Sequence, residues 1–185
     1  MRLLPAIVPL LLVSCSGGGD TATVPRRTAY PRPQLPDTAM IASRQAPMHF
    51  LVNAEARDTA PRPGWLDVAY PTLGASVHVS FTATDPLNIK AVKENRMERL
   101  MLNLGDAHAA NSEFVNPAGY DILLSEAEGS LTPLQFLATD DSAWVVSGAV
   151  YFADPQAAEA VDSMRPIISA LRRDLLKSLE NLREK

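Results

Sequence analysis

Gly74-Ala75-Ser76-Val77-His78-Val79-Ser80-Phe81-Thr82-Ala83-Thr84 decides the fold, because this stretch carries the clearest strand pattern in the chain. Its apolar side chains at Val77, Val79 and Phe81 alternate with polar ones. This period of two indicates a strand with one buried and one polar face. Trp65–Pro71 reads as a second short strand closed by its proline. Because only Pro-Thr-Leu-Gly separates the two, we predict an antiparallel hairpin.

The rest of the sheet follows from further strand patterns on both sides of this hairpin. The turns at 128–130 and 140–142 are too short for crossover helices, so their neighbouring strands must be antiparallel. The last strand is almost all apolar or small, which predicts a central position, and Gly148 would allow a close approach there. We predict strands at Met48–Ala54, Ala118–Glu128, Ser130–Thr139 and Ala143–Phe152, with a polar turn at Arg57–Gly64 and a loop at Asn111–Asn116.

Two segments show the period of a helix. The apolar residues of Leu87–Ala109 form one stripe, which Gly105 should weaken or end. The final helix should begin at an N-cap Ser163, with Pro166 in its first turn, and run to about Leu182. Its stripe could pack on the sheet or on a partner helix. A mostly antiparallel sheet of about six strands with two helices is an α+β domain, and helices on opposite faces would cover both sides of the apolar last strand.

The N-terminus indicates where the protein resides. Arg2 and the apolar run Leu3–Val13 resemble an export signal, and the run is too short to cross a bilayer as a helix. Leu12-Val13-Ser14-Cys15 fits the lipobox of bacterial lipoproteins. We therefore predict that residues 1–14 are removed and that Cys15, the only cysteine, carries a covalent lipid. The alternative is an ordinary signal peptide followed by a chance cysteine.

A tether, residues 15–47, should join this lipid to a single domain at residues 48–185. Its glycines favour flexibility and its prolines an extended chain. Ser16, rather than an aspartate, follows the cysteine, which favours the outer membrane facing the periplasm over the inner membrane. Tyr30-Pro31-Arg32-Pro33 is a stiff aromatic and cationic segment. It could contact a partner protein or serve only as a spacer.

Composition limits the classes of partner and of chemistry. The formal net charge of −4 argues against nucleic-acid binding, and no polybasic run supports electrostatic docking on a membrane. With Cys15 lipidated, the folded part has neither a disulfide nor a cysteine metal ligand. We therefore expect no cofactor other than the covalent lipid.

No motif of a known active site is present. The three histidines, His49, His78 and His108, lie on separate predicted elements, without the spacing of a zinc site. No serine lies in a nucleophile-elbow motif, and Asp140-Asp141 reads as a turn rather than a calcium site. We therefore expect a non-enzymatic protein. The alternative is a periplasmic ligand carrier or a hydrolase-like enzyme, whose first candidate residues would be His49, His78, Asp67 and Asp85.

Several segments together resemble one known family. They are Tyr30–Pro33 after a lipobox, Leu66–Pro71, Leu134–Asp140, Ser147–Phe152, and Asp162-Ser163 followed by Pro166. In these segments the chain is similar to the gliding motility lipoprotein GldD family. The resemblance implies an envelope lipoprotein that takes part in gliding and is linked to the type IX secretion machinery. It also implies that the partners are the membrane and other envelope or secretion proteins, and it implies no catalytic residue. The sheet with two helices also resembles PsbP/Mog1-like α/β/α sandwiches, in fold only.

Overall fold

The computed structural model describes residues 34–105, 107–154 and 161–185, and all their side chains except those of residues 161 and 162. Nine strands and two α-helices form in this part of the chain. They are β1 (Met40–Ala42), β2 (Leu51–Asn53), β3 (Arg57–Thr59), β4 (Trp65–Tyr70), β5 (Ala75–Ala83), α1 (Ile89–Leu104), β6 (Ala109–Val115), β7 (Asp121–Ala127), β8 (Leu134–Thr139), β9 (Trp144–Phe152) and α2 (Val161–Glu180).

Seven strands form one antiparallel sheet in the order β3-β4-β5-β9-β8-β7-β6. The predicted hairpin is present: β4 pairs with β5, and Tyr70 lies opposite Ala75. A single 3₁₀ turn, Pro71–Leu73, joins the two strands, and Gly74 follows it with φ at 58°. Only glycine adopts this left-handed conformation without a steric cost, so the turn residue is well matched to its place.

β9 is the fourth of the seven strands, which confirms its predicted central position. Gly148 lies in the middle of β9, directly opposite Phe136 of β8. The Phe136 ring occupies the space above Gly148, because an added Cβ would lie 2.6 Å from its Cε1 atom. The predicted close approach at Gly148 is therefore the contact of an aromatic ring with bare backbone.

The two helices cover opposite faces of the sheet. Phe136 and Val146 belong to the large core that α2 completes, whereas their sequence neighbours Leu137 and Val145 pack with α1. Since neighbouring side chains of a strand point to opposite faces, α1 and α2 lie on different sides. The apolar stripe of α2 is buried against the sheet, as predicted: Met164, Ile168, Leu171, Leu175, Leu179 and Leu182. The α+β class is confirmed, and the likeness to PsbP/Mog1 sandwiches stays a prediction.

Two strands that were not predicted are present, and the final helix begins earlier than predicted. Ala109–Val115 forms an edge strand where we expected the loop at Asn111–Asn116. The sequence did not indicate this strand because most of its side chains are exposed, so buried and exposed residues do not alternate regularly along it. β3 likewise lies in the expected turn. α2 already includes Val161, so Ser163 is not its N-cap and Pro166 lies beyond its first turn. Gly105 ends α1, as expected.

A small N-terminal hairpin lies before residue 57. β1 pairs with β2, and α2 packs against β2. Ser43 and Ala46 between the two strands are buried. Residues 40–46, which the sequence pattern assigns to the tether, therefore take part in the packed structure. Three-residue strands are too short for a periodic signal.

Candidate functional site

The polar face of β4 and β5 is half-buried. On its other face, Leu66, Val68, Val77 and Val79 enter the large core beneath α2. On the polar face, α1 packs against β8 and β9 and leaves β4 and β5 partly uncovered. Polar side chains of two neighbouring strands therefore meet on a surface that a ligand or partner can reach.

Asp67, His78 and Ser76 form a hydrogen-bonded chain on this face. Asp67 lies opposite His78 in the β4–β5 register. The His78 Nδ1 atom is 2.6 Å from Asp67 Oδ1, and its Nε2 atom is 3.1 Å from Ser76 Oγ. Because a carboxylate only accepts, Nδ1–H is the donor, and in the tautomer with its single hydrogen on Nδ1 the Nε2 atom accepts from the serine hydroxyl. The Tyr151 ring packs edge-on against the imidazole, with the two centroids 5.4 Å apart.

This order of groups is that of a Ser-His-Asp catalytic triad, but its setting differs. A triad acts together with backbone or side-chain donors that bind a developing oxyanion. Ser76 lies within β5, which is paired with β4 on one edge and with β9 on the other. The amide groups around Ser76 therefore serve the sheet. A catalytic serine of the nucleophile-elbow type instead sits on a sharp turn after a strand.

A small cavity lies beside the hydrogen-bonded side chains of Asp67, His78 and Ser76, between α1 and the sheet. It has a volume of about 130 Å³, and Arg96 and Arg99 of α1 form its cationic wall. Arg96 Nη2 donates to Ser80 Oγ and Thr82 Oγ1, each at 3.1 Å. The pKa of Arg96 lies below its ordinary value because burial removes water from the guanidinium and because Arg99 is also positive. Arginine nevertheless keeps its charge in proteins.

The four residues that we proposed for a ligand carrier do not converge as a group. His78 and Asp67 come together, as described. His49 lies at the end of α2, where its Nδ1 atom is 3.1 Å from the Asn181 carbonyl oxygen. Asp85 precedes α1, and its Oδ1 atom accepts from the backbone N–H of residues 87 and 88. Within the described ranges, no group of three metal-ligating side chains is present.

Asp140 serves the turn between β8 and β9. Its Oδ1 atom accepts from the backbone N–H groups of Ser142, Ala143 and Trp144. Burial opposes its ionisation, but these hydrogen bonds prevail and hold the pKa of Asp140 below its ordinary value. Asp141 instead accepts from Lys93 Nζ at 2.7 Å. The two carboxylates thus have separate structural partners, as the turn interpretation implies.

A second polar cluster is buried on the α2 side. Asp174 is 1% exposed, and its carboxylate accepts from Asn53 Nδ2 at 2.8 Å and from Arg173 Nη2 at 2.9 Å. Tyr70 OH lies 3.4 Å from the same carboxylate. Burial, and then the negative charge of Asp174, raise the pKa of Tyr70 well above its ordinary value. With little access to solvent, this cluster joins β2, β4 and α2 and acts as a structural link.

The sequence contained one indication, not used in the sequence analysis, that Asp67 and His78 lie side by side. A four-residue connection between Tyr70 and Ala75 fixes the register of the hairpin, and that register places Asp67 beside His78. Arg96 and Gln135 carried no such signal, since only the packing of α1 on the sheet brings them to the cavity. Cys15 and Tyr30–Pro33 lie outside the described residues.

Comparison with known proteins gives the family. No helix of the described ranges is both long and apolar enough to span a bilayer. No curated protein matches the chain. The model of a family described as gliding motility lipoprotein GldD matches residues 20–183, which is most of the chain. The fold, the two-sided sheet and the polar site therefore belong to a gliding motility lipoprotein: the chain is a member of the GldD family.

Proposed function

We propose that this protein is a lipid-anchored, non-enzymatic component of the gliding motility and type IX secretion machinery, acting through what it binds. The observation that carries the proposal is the match of residues 20–183 to the gliding motility lipoprotein family. The pairing of β5 on both edges supports a binding role rather than acyl transfer, because the backbone donors beside Ser76 are committed to the sheet.

The anchor is Cys15, in the lipobox Leu12-Val13-Ser14-Cys15. The test is Cys15→Ala in the native bacterium, followed by metabolic palmitate labelling, membrane fractionation, and assays of spreading and of secretion. Ser14→Ala is the matched control, because it leaves a small residue before the cysteine. We expect Cys15→Ala to lose label, membrane association and function together, while the control keeps all three. Unlabelled wild-type protein in the soluble fraction would refute the anchor.

The location follows from the residue after the anchor. Ser16 favours transfer to the outer membrane, facing the periplasm. Ser16→Asp should retain more protein in the inner membrane, which density separation of the two membranes would measure. An unchanged distribution would show that this residue does not direct sorting here.

The predicted partner contact is Tyr30-Pro31-Arg32-Pro33. A combined Tyr30→Ala and Arg32→Ala variant keeps both prolines and therefore the stiffness of the segment. Purification from mildly cross-linked, solubilised envelope should recover a defined partner with the wild-type chain and much less with the variant. A Thr21→Ala and Thr23→Ala variant is the control in the same tether. Recovery of the wild-type protein alone would count against a scaffold role.

A second candidate function, a hydrolase, has one observation in its favour: the chain Ser76–His78–Asp67. A fluorophosphonate probe should then label the wild-type protein and a Ser142→Ala control, whose substitution lies on the exposed β8–β9 turn, but not Ser76→Ala. An unlabelled wild-type protein with intact fold would remove this candidate.

A further inference from the structure

The cavity between α1 and the sheet is cationic, although the protein as a whole is acidic. The chain has a formal net charge of −4, yet Arg96 and Arg99 line the cavity, and among the described residues no aspartate or glutamate does. Within the described part of the chain, neither arginine is salt-bridged to a carboxylate. Two adjacent guanidinium groups repel each other, so the site gains from an anion placed between them.

Arg96 is held in place without being neutralised. Its two hydrogen bonds go to the neutral hydroxyls of Ser80 and Thr82, and both use Nη2. No acceptor among the described residues takes the Nε and Nη1 hydrogens of the same guanidinium, so these can donate to a ligand. A cation that is fixed by neutral partners is already oriented for a ligand and loses little freedom on binding.

Gln135 supplies an independent indication of a ligand. It lines the cavity and is 2% exposed. Its Oε1 atom accepts from Asn103 Nδ2 at 3.2 Å, whereas its Nε2 atom has no hydrogen-bond partner in the described part of the chain. A buried amide N–H group without a partner is costly, and a buried polar atom in that state calls for a specific explanation.

We propose that this cavity binds a phosphoryl group, held by Arg96 and Arg99 of α1 and by the amide of Gln135. The cavity volume of about 130 Å³ suits one tetrahedral anion with a few waters and is smaller than the sites of drug-sized ligands. Free donors of α1 and of β8 line the same cavity, and a tetrahedral anion, with oxygens in several directions, can accept from both elements at once. A planar carboxylate would be satisfied by one guanidinium in a bidentate pair.

This site is independent of the lipid anchor and goes beyond the proposed function. The phosphoryl group could come from a phospholipid headgroup or from a soluble phosphate. The test uses the full chain in nonionic detergent at constant ionic strength, because screening would otherwise mimic competition. Calorimetric titrations with inorganic phosphate, with sodium acetate, and with mixed micelles that contain phosphatidic acid separate the sources.

Arg99→Gln and Gln135→Leu are the diagnostic variants. Lys90→Gln is the matched control, since it removes the same charge from the exposed side of α1. We expect saturable binding of phosphate or of the phosphatidic acid micelles, weakened at least about tenfold by Arg99→Gln and unchanged by Lys90→Gln. Gln135→Leu should weaken binding without lowering the melting temperature of the free protein, because it removes an unpaired buried N–H group, and the exposed Asn103, which loses its acceptor, can bond to water instead.

Tighter binding of phosphate than of the phosphatidic acid micelles would identify a soluble ligand, and the reverse order would identify a lipid headgroup. Three outcomes would overturn the proposal. They are the absence of saturable binding of either probe at millimolar concentration, equal loss of affinity in Arg99→Gln and Lys90→Gln, and acetate binding as tightly as phosphate.

Discussion

Replacing Asn116 by alanine should destabilise the protein more than any other single change in a loop. Asn116 follows β6 and is 5% exposed. Its Nδ2 group donates to the carbonyl oxygens of Leu179 and Leu182 at 2.9 and 2.8 Å. Its Oδ1 atom accepts from the backbone N–H groups of Ala118 and Tyr120, both at 3.0 Å. One side chain thus closes the β6–β7 turn and satisfies carbonyls at the C-terminal end of α2.

The magnitude follows from those four contacts. A hydrogen bond contributes about 1 kcal/mol net, and a buried group left without a partner costs about 1–3 kcal/mol. Loss of the side chain should therefore lower the free energy of unfolding by about 3–5 kcal/mol, a large share of the stability of a typical domain. Asn116→Asp is the sharper variant. It keeps the two bonds to the turn but places an oxygen against the two carbonyl oxygens of α2.

Urea unfolding followed by tryptophan fluorescence measures the effect, with the slope of the transition as a check on two-state behaviour. Asn111→Ala is the matched control, because this asparagine is exposed on β6. We expect the control to stay within about 0.5 kcal/mol of wild type. A loss below about 1 kcal/mol for Asn116→Ala, or an Asn116→Asp protein as stable as wild type, would refute this account of the α2 terminus.

Three further changes test the interior. Gly148→Ala should lower the free energy of unfolding by at least about 1–3 kcal/mol, because the added Cβ would lie 2.6 Å from Phe136 Cε1. Adding Phe136→Leu to this variant should recover part of the loss, and an unchanged stability of Gly148→Ala would contradict the packing described for this glycine. Asp174→Ala should lower the free energy of unfolding in urea by about 3–5 kcal/mol, since Asn53 and the other donors to Asp174 lose a buried acceptor. A loss of about 0.5 kcal/mol, which is typical of an exposed residue, would refute the structural role of this cluster. Because its pKa is depressed in the folded protein, Asp140 contributes stability that is fully present above the ordinary carboxyl pKa and is lost as the pH falls through the lower pKa of the folded state. The gap in unfolding free energy between wild type and Asp140→Asn should therefore be larger at about pH 7 than at about pH 3, and a constant gap would contradict it.

Side-chain periodicity predicted the elements that bury one complete face. β5 and α2 were found because each presents an uninterrupted apolar stripe to the large core. β6 was missed for the opposite reason: it lies at the edge of the sheet, and Asn111, Glu113 and Val115 are all exposed. A strand with one paired edge and little burial is held by backbone hydrogen bonds, which leave no mark on the side-chain pattern.

The candidate site was less predictable than the fold because it depends on distances between elements. His78 and Asp67 were both named as candidates, and the length of their hairpin turn fixes their contact. Arg96 and Gln135 are 39 positions apart in the chain and meet only where α1 crosses the sheet. No local pattern encodes that crossing, so sequence reasoning had no means of pairing them.

The unequal cover of the two sheet faces connects the fold with its function. α2 covers its side of the sheet with an unbroken apolar stripe that is buried in the large core. α1 buries only Leu100 fully and packs mainly against β8 and β9, while Arg96 reaches Ser80 and Thr82 of β5. Its polar side is thereby left to form the wall of a cavity rather than the surface of a core. The half-covered face is therefore the more accessible side of the sheet, and Arg96, His78 and Asp67 lie on it.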